Sequence, residues 1–271
     1  MDRLKAISKA FLFGLIMLAF LAVSALIAKA AKLSEARTYL FESGFMLLSA
    51  IVPFLYAAKN NLTFTEIGFN KPTKKIAKDV LCLIPFFVAL VPLVIFMNKS
   101  GGMKLMIVSL FFYACLAFAA EMYFRGVIHH ILQGKMPIAI IVLFTGLLFA
   151  LCNMFYLFRI TNYKYICVLV VISAGFSGVL TMAMERKANI FFLGVINCLF
   201  FFLLAHFNGG KRLVLSGGIA CLILLAYGLF MLISYIKENK VDDQVFYPSD
   251  DKEEENDGFD ENDNIELTDH E

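Results

Sequence analysis

Tryptophan is absent from the 271 residues, proline occurs only six times, and charged residues make up 17% of the chain. So low a charged fraction, set against 60% hydrophobic residues and 29 phenylalanines, excludes a soluble single domain, which has too little interior to bury that much apolar surface. The six cysteines (Cys82, Cys115, Cys152, Cys167, Cys198, Cys221) include no Cys-x-x-Cys pair and all lie in apolar runs. That pattern gives no sign of a disulfide framework or a thiolate zinc site, and the cysteines read as small core residues. Basic charge is not clustered as a nucleic-acid surface requires, so no nucleic-acid partner is indicated.

What is present is a succession of apolar runs. Stretches long enough to cross a bilayer at ~1.5 Å per residue appear near 10–28, 40–58, 80–97, 105–120, 137–158, 165–184, 190–207 and 213–236. The expected fold is therefore all-α, a polytopic membrane helix bundle of about eight transmembrane helices over residues 1–236. The first run follows MDRLKAISK and precedes Ala28-Lys29-Ala30, which imitates a signal peptide; its length favours an uncleaved first helix. The fourth run is expected to extend past Ala120 into EMYFRGVI. Pro53, Pro85 and Pro92 fall within runs and should kink them.

The net charge of +2 hides a split: 21 basic and 7 acidic groups lie in residues 1–236, and 3 lysines and 15 acids follow from Lys237. Residues 237–271 are too polar to offset the entropy of ordering and read as an acidic, disordered cytoplasmic tail. Lys and Arg on alternate sides of the runs number 14 and 9, which places both termini in the cytoplasm of a cell (plasma) membrane protein in contact with lipid. Five of the 14 belong to the loop 59–79, whose Thr-Phe-Thr-Glu-Ile-Gly followed by Lys-Pro reads as an interfacial segment leading into the third run.

Ionisable groups at membrane depth are costly and so are the first functional candidates. Glu42 lies near the start of the second run, Glu121 and Arg125 end the fourth, and His206 closes the seventh, while Asn153 and Asn197 are amides within the fifth and seventh. Glu121 and Arg125 are one helical turn apart and can pair on one face, either with Arg125 reaching out to water or as an anchor inside the bundle. His129 and His130 diverge by about 100° on a helix and read as an exposed loop pair. Asn153 and Asn197 are placed to hydrogen-bond each other across two helices.

The run Glu121-Met-Tyr-Phe-Arg125-Gly126, then Phe149 to Asn153 (FALCN), then Asn197 to Phe201 (NCLFF) resembles the motifs of the CPBP intramembrane proteases, also called the CAAX protease or Abi family. There the order is Glu-Glu-x-x-x-Arg-Gly, Phe-x-x-x-His and His-x-x-x-Asn. The resemblance covers roughly residues 40–205 and includes the TFTEIGF…KP loop and GVLTMAMERKANIFFLGVIN. It implies an eight-helix bundle and, in active members, a first Glu that activates water, histidines that hold zinc or polarise the scissile carbonyl, and an Asn at the oxyanion. Here Ala120 stands at the first Glu, Asn153 and Asn197 at the two His, and Phe201 at the Asn. Alanine accepts no proton, an amide is a poor base and zinc ligand, and Phe201 donates no hydrogen bond. Losing a general base alone costs about 10²- to 10⁴-fold in rate.

The expectation is thus a catalytically inactive pseudoprotease, with no catalytic residue set intact and no cofactor, that holds a membrane-protein partner or a hydrophobic or lipidated peptide in the old cavity. Two alternatives stay open. One is an active metalloendopeptidase with a rearranged centre of Glu121, Cys152 and Cys198. The other is a small-solute transporter using Glu42.

Overall fold

A computed structural model describes residues 2–70, 84–95, 102–154, 163–186, 188–206 and 211–246. Every regular element among them is helical. The helices are α1 (Asp2–Ala30), α2 (Glu35–Lys59), α3 (Ile84–Ile95), α4 (Met103–Glu121), α5 (Ile138–Asn153), α6 (Tyr163–Glu185), α7 (Ile190–Ala205) and α8 (Lys211–Phe246). The chain does not leave the axis of α4 at Glu121. It continues as a π-helix, Met122–Ile128, and closes with an α-helical turn, His129–Leu132. By contacts the chain divides into two units, Met1–Leu232 and Ile233–Glu271; the site described below belongs to the first.

Among the described residues, four helices are long and apolar enough to cross a membrane: Arg3–Ala30, Glu35–Lys59, Met103–Leu132 and Leu215–Glu238. Ile84–Ile95, Ile138–Asn153, Leu169–Glu185 and Ile190–Ala205 are shorter apolar helices of 10–17 residues. Each of the eight apolar runs thus contributes a helix, and the parts of the runs at 80–83, 96–97 and 155–158 lie outside the described residues. The exterior is apolar, with Leu4, Leu55, Leu143, Phe191 and Leu222 all more than half exposed. Large side chains tolerate such exposure in lipid and not in water, and the fold is the helical bundle of a membrane-embedded protein.

The interior is held by close packing. α5 and α6 make the most extensive pairing, followed by α2 with α4 and α4 with α7. Gly146 explains the first: a Cβ there would lie 2.9 Å from the Ala174 carbonyl oxygen, so only glycine lets the two backbones approach this closely, as small residues do in membrane bundles. α1 rests on α2 and α5. Tyr123 donates to the Ser49 carbonyl at 3.0 Å, fastening α4 to α2.

The loop after α2 packs against the bundle through Ile67 and Gly68 while Thr63–Glu66 stay exposed. Ile67 is buried with Ala57, Met122 and Ile190, and the Ile190 amide donates to the Gly68 carbonyl at 2.9 Å. Asn189 donates to the Asn70 carbonyl. The segment Thr63–Asn70 therefore folds back beneath the bundle and starts α7. Gly68 has φ +95 and abuts Met184, a conformation and a closeness that a side chain would not permit. The continuation of that loop from 71, and the acidic stretch 247–271, lie outside the described residues. Helix α8 runs to Phe246, past the Lys237 boundary expected from charge; Lys237 to Lys240 are charged but are also good helix formers.

Candidate functional site

Glu121 and Arg125 are not at the rim of the bundle. Arg125 is fully buried and Glu121 is 1% exposed, which rules out Arg125 reaching out to water. Arg125 Nη1 faces Glu121 Oε1 at 3.3 Å. The rest of its fork points to α6: Nη2 donates to the carbonyl and to the hydroxyl of Ser177, both at 2.9 Å, while the Phe149 ring centroid lies 5.3 Å from the guanidinium carbon. From α7, Asn197 Nδ2 donates to Glu121 Oε1 at 2.6 Å. Ser177 in turn donates to the Thr145 carbonyl at 3.4 Å, and the Thr145 and Thr181 hydroxyls are 2.9 Å apart. One polar network thus joins α4, α5, α6 and α7 at membrane depth.

Its charges are balanced, although Glu121 Oε2 and Arg125 Nε and Nη1 have no hydrogen-bond partner among the described residues; an ion pair stripped of one partner in this environment leaves an uncompensated charge. Ser177 and Thr181 were not singled out in the sequence, although a signal existed. Ser173, Ser177 and Thr181 recur every four residues in an otherwise apolar helix, and all three are fully buried. That spacing makes one polar stripe on α6.

The π-helix places this network. The His129 amide donates to the Phe124 carbonyl, an i to i+5 bond that widens the turn. π-helical turns are rare and concentrate where a helix must present residues that α-geometry would misalign. Within it, Gly126 faces the Ile67 carbonyl and Ile190, where an added Cβ would make only ordinary contacts at 3.4 and 3.8 Å. Beyond it, His129 is buried and its Nε2 lies 2.9 Å from Glu185 Oε1. His129 is therefore an internal partner of α6, and the expectation of an exposed histidine pair fails for it, because the helix continues to Leu132 where a loop was expected. His130 is partly exposed.

Ala120, Asn153, Asn197 and Phe201 converge. With Met17 and Leu21 of α1, and with Leu116, Phe149 and Cys152, they surround one cavity of about 10 Å³, at the threshold for a single water. Phe201 fills the centre, in ring contact with Phe149, Phe176 and Phe200 at 5.6–5.9 Å between centroids. A peptide does not fit there, which corrects the expectation of a partner held in that cavity. Nor do the asparagines bond each other. Asn153 Nδ2 donates to its own helix at Phe149, 2.9 Å, and Asn197 to Glu121. Both line the same space, but each has a nearer acceptor.

The donor set does not suit zinc. Two amides, a methyl group and a phenyl ring supply no anionic or imidazole ligand, and among the described residues no group of three or more His, Cys, Asp or Glu could hold a metal ion. The rearranged centre of Glu121, Cys152 and Cys198 does not assemble either. Cys152 lines the small cavity with its thiol toward the Gly14 carbonyl, whereas Cys198 lines a different pocket together with Glu121.

That second pocket, about 230 Å³ between α4 and α7, is lined by Phe118, Glu121, Phe191, Gly194, Val195 and Cys198 among others. Elsewhere, Glu42 is buried within α2, 2% exposed. His206 is more than an interfacial residue: its Nδ1 lies 2.8 Å from the Phe202 carbonyl and its Nε2 is 3.2 Å from the Ser109 hydroxyl, which ties the end of α7 to the start of α4. No protein-family model matches the chain, and no curated protein matches it either.

Proposed function

We propose that the protein is a CPBP-like membrane scaffold, a pseudoprotease in which the catalytic centre has been replaced by packing, and that it acts by binding a membrane protein or a hydrophobic or lipidated peptide on the outside of the bundle. The observation that supports this reading is the convergence of Ala120, Asn153, Asn197 and Phe201 on one cavity of about 10 Å³ that no acid or imidazole lines. Four positions distant in sequence meet where the resemblance needs a reaction centre, and each carries a side chain unable to move a proton or bind zinc. The one acid nearby, Glu121, is committed to Arg125 and Asn197, so its Oε1 is a structural acceptor.

In this reading all eight apolar helices cross the membrane, and both termini face the cytoplasm at the plasma membrane. The test is direct. Purified protein is offered prenylated CAAX peptides and hydrophobic reporter peptides in detergent and in vesicles, with and without added zinc. No cleavage above that of an Arg125→Met control is expected. Cleavage that copurifies with the protein and disappears on Glu121→Gln would overturn the proposal.

A further inference from the structure

The pocket between α4 and α7 is unlike the cavity described above, and its use does not depend on the resemblance to proteases. Its walls are apolar but for one group, Glu121. Glu121 Oε1 receives Asn197 and faces Arg125, whereas Oε2 has no hydrogen-bond partner among the described residues and is shielded from solvent. A buried carboxylate oxygen without a donor is costly, and native structures rarely leave one so. Gly194 faces the Glu121 side chain across the pocket: a Cβ there would lie 3.8 Å from Glu121 Cγ and would meet no other heavy atom within 4 Å. At the mouth, Phe191 is 64% and Val195 47% exposed, on a bundle whose outer face is apolar.

We propose that this pocket binds a neutral lipid bearing a hydroxyl group, which donates to Glu121 Oε2 while its chain passes between α4 and α7 into the bilayer. Charge selects the neutral donor. Arg125 already balances Glu121, so a cation would leave surplus positive charge in a medium of low dielectric, and an anion would face the carboxylate. Depth selects against a phosphate headgroup: Glu121 lies about 15 Å along the helix from Leu132 at ~1.5 Å per residue, within a hydrocarbon layer ~30 Å thick. Size selects a lipid over a helix. About 230 Å³ is less than the ~300–1,000 Å³ of a site that engulfs a whole ligand. It accepts a hydroxyl and the first carbons of a chain, and leaves the remainder against Phe191 and Val195.

The experiment uses the full chain in phosphatidylcholine vesicles and a long-chain primary alcohol carrying a diazirine near the hydroxyl, with its methyl ether as the matched probe lacking the donor. After photolysis, peptide mapping is expected to place the alcohol on Phe118, Met122 and the 191–199 stretch, with labelling by the ether lower by about tenfold or more, the usual effect of one hydrogen bond to a charged group. Gly194→Leu, which fills the pocket, should remove the label; the milder Gly194→Ala, whose added methyl meets only ordinary contacts, should reduce it in a protein of unchanged thermal stability. Glu121→Ala should bring the alcohol down to the ether. Equal labelling by both probes, labelling indifferent to both Gly194 variants, or label spread evenly over the lipid face would overturn the proposal. So would a photocrosslinker at Val195 that captures a second transmembrane protein which the alcohol fails to displace.

Discussion

Arg125 is the largest side chain with no exposed surface, and its energetics are those of a group that has no way out. Its methylenes and ring neighbours gain from burial, but the guanidinium is tolerable only while Glu121 and Ser177 receive it. Arg125→Met is therefore expected to cost about 3–5 kcal/mol, because Glu121 is left charged and buried. Replacing both, Glu121→Leu with Arg125→Met, should recover most of that loss, since an apolar pair of similar volume desolvates nothing. Thermal unfolding in a single detergent, run as a double-mutant cycle with both single variants, checks the order. If the double variant is the least stable of the set, the hydrogen bonds from Ser177 and Asn197 dominate over charge. The pairing of Glu121 with Arg125 was legible from their spacing. Its burial was not, because a short motif does not reveal whether the helix end lies at the membrane edge or continues inward.

The element that decides this is the π-helix Met122–Ile128, which local sequence gives no means of reading: nothing in MYFRGVI marks an i to i+5 bond over an i to i+4 one. It holds two registers together, Glu121 and Arg125 toward Ser177 and His129 toward Glu185. Inserting one alanine between Ile128 and His129, where the helix returns to α-geometry, would rotate everything after it by about 100°. The expected result is loss of the His129 contact with the Arg125 contact retained, seen as faster hydrogen exchange at the end of α6 and little change in α7. The loop before it offers a separate handle. Glu66 Oε2 receives the Thr63 amide at 2.6 Å and its hydroxyl at 2.7 Å, and these bonds hold its carboxyl below the usual carboxylate range. A carboxyl with a depressed folded value stabilises the loop above its unfolded pKa, and that contribution fades as pH falls through the lower folded value. Proteolysis between Thr63 and Asn70 should thus accelerate on acidification, and Glu66→Gln should be fast at every pH. An unchanged pH profile in Glu66→Gln would show that another group controls the loop.

The positions that meet at the small cavity were marked by the motif resemblance; at the scale of the whole molecule, the sequence by itself disclosed the apolar bundle and the order of its helices. Those features follow from composition and spacing, which survive any detail of packing. The fold-back of Thr63–Asn70 and the burial of Arg125 against α6 depend on contacts between segments far apart, as when Asn70 meets Ala188, and so were not written in any one stretch. The bundle also makes α1 a structural wall, through Met17 and Leu21 at the cavity. A chain beginning at Ala31, coexpressed with a separate peptide covering residues 1–30, is expected to copurify with it and to keep Cys152 unreactive to a maleimide. The same chain alone should expose Cys152 within minutes. Protection of Cys152 without α1 would show that the wall is dispensable.

The bond from Cys152 to the Gly14 carbonyl spans 138 positions of chain, and this bears on how the protein is made. At ~5–20 residues per second of synthesis, the first helix waits on the order of ten seconds beside the translocon before its partner surface on α5 emerges. During that interval its groove-facing side has only lipid or insertion machinery to lean on, so slowed translation between α1 and α5 should lengthen the window in which quality-control proteases find the nascent protein.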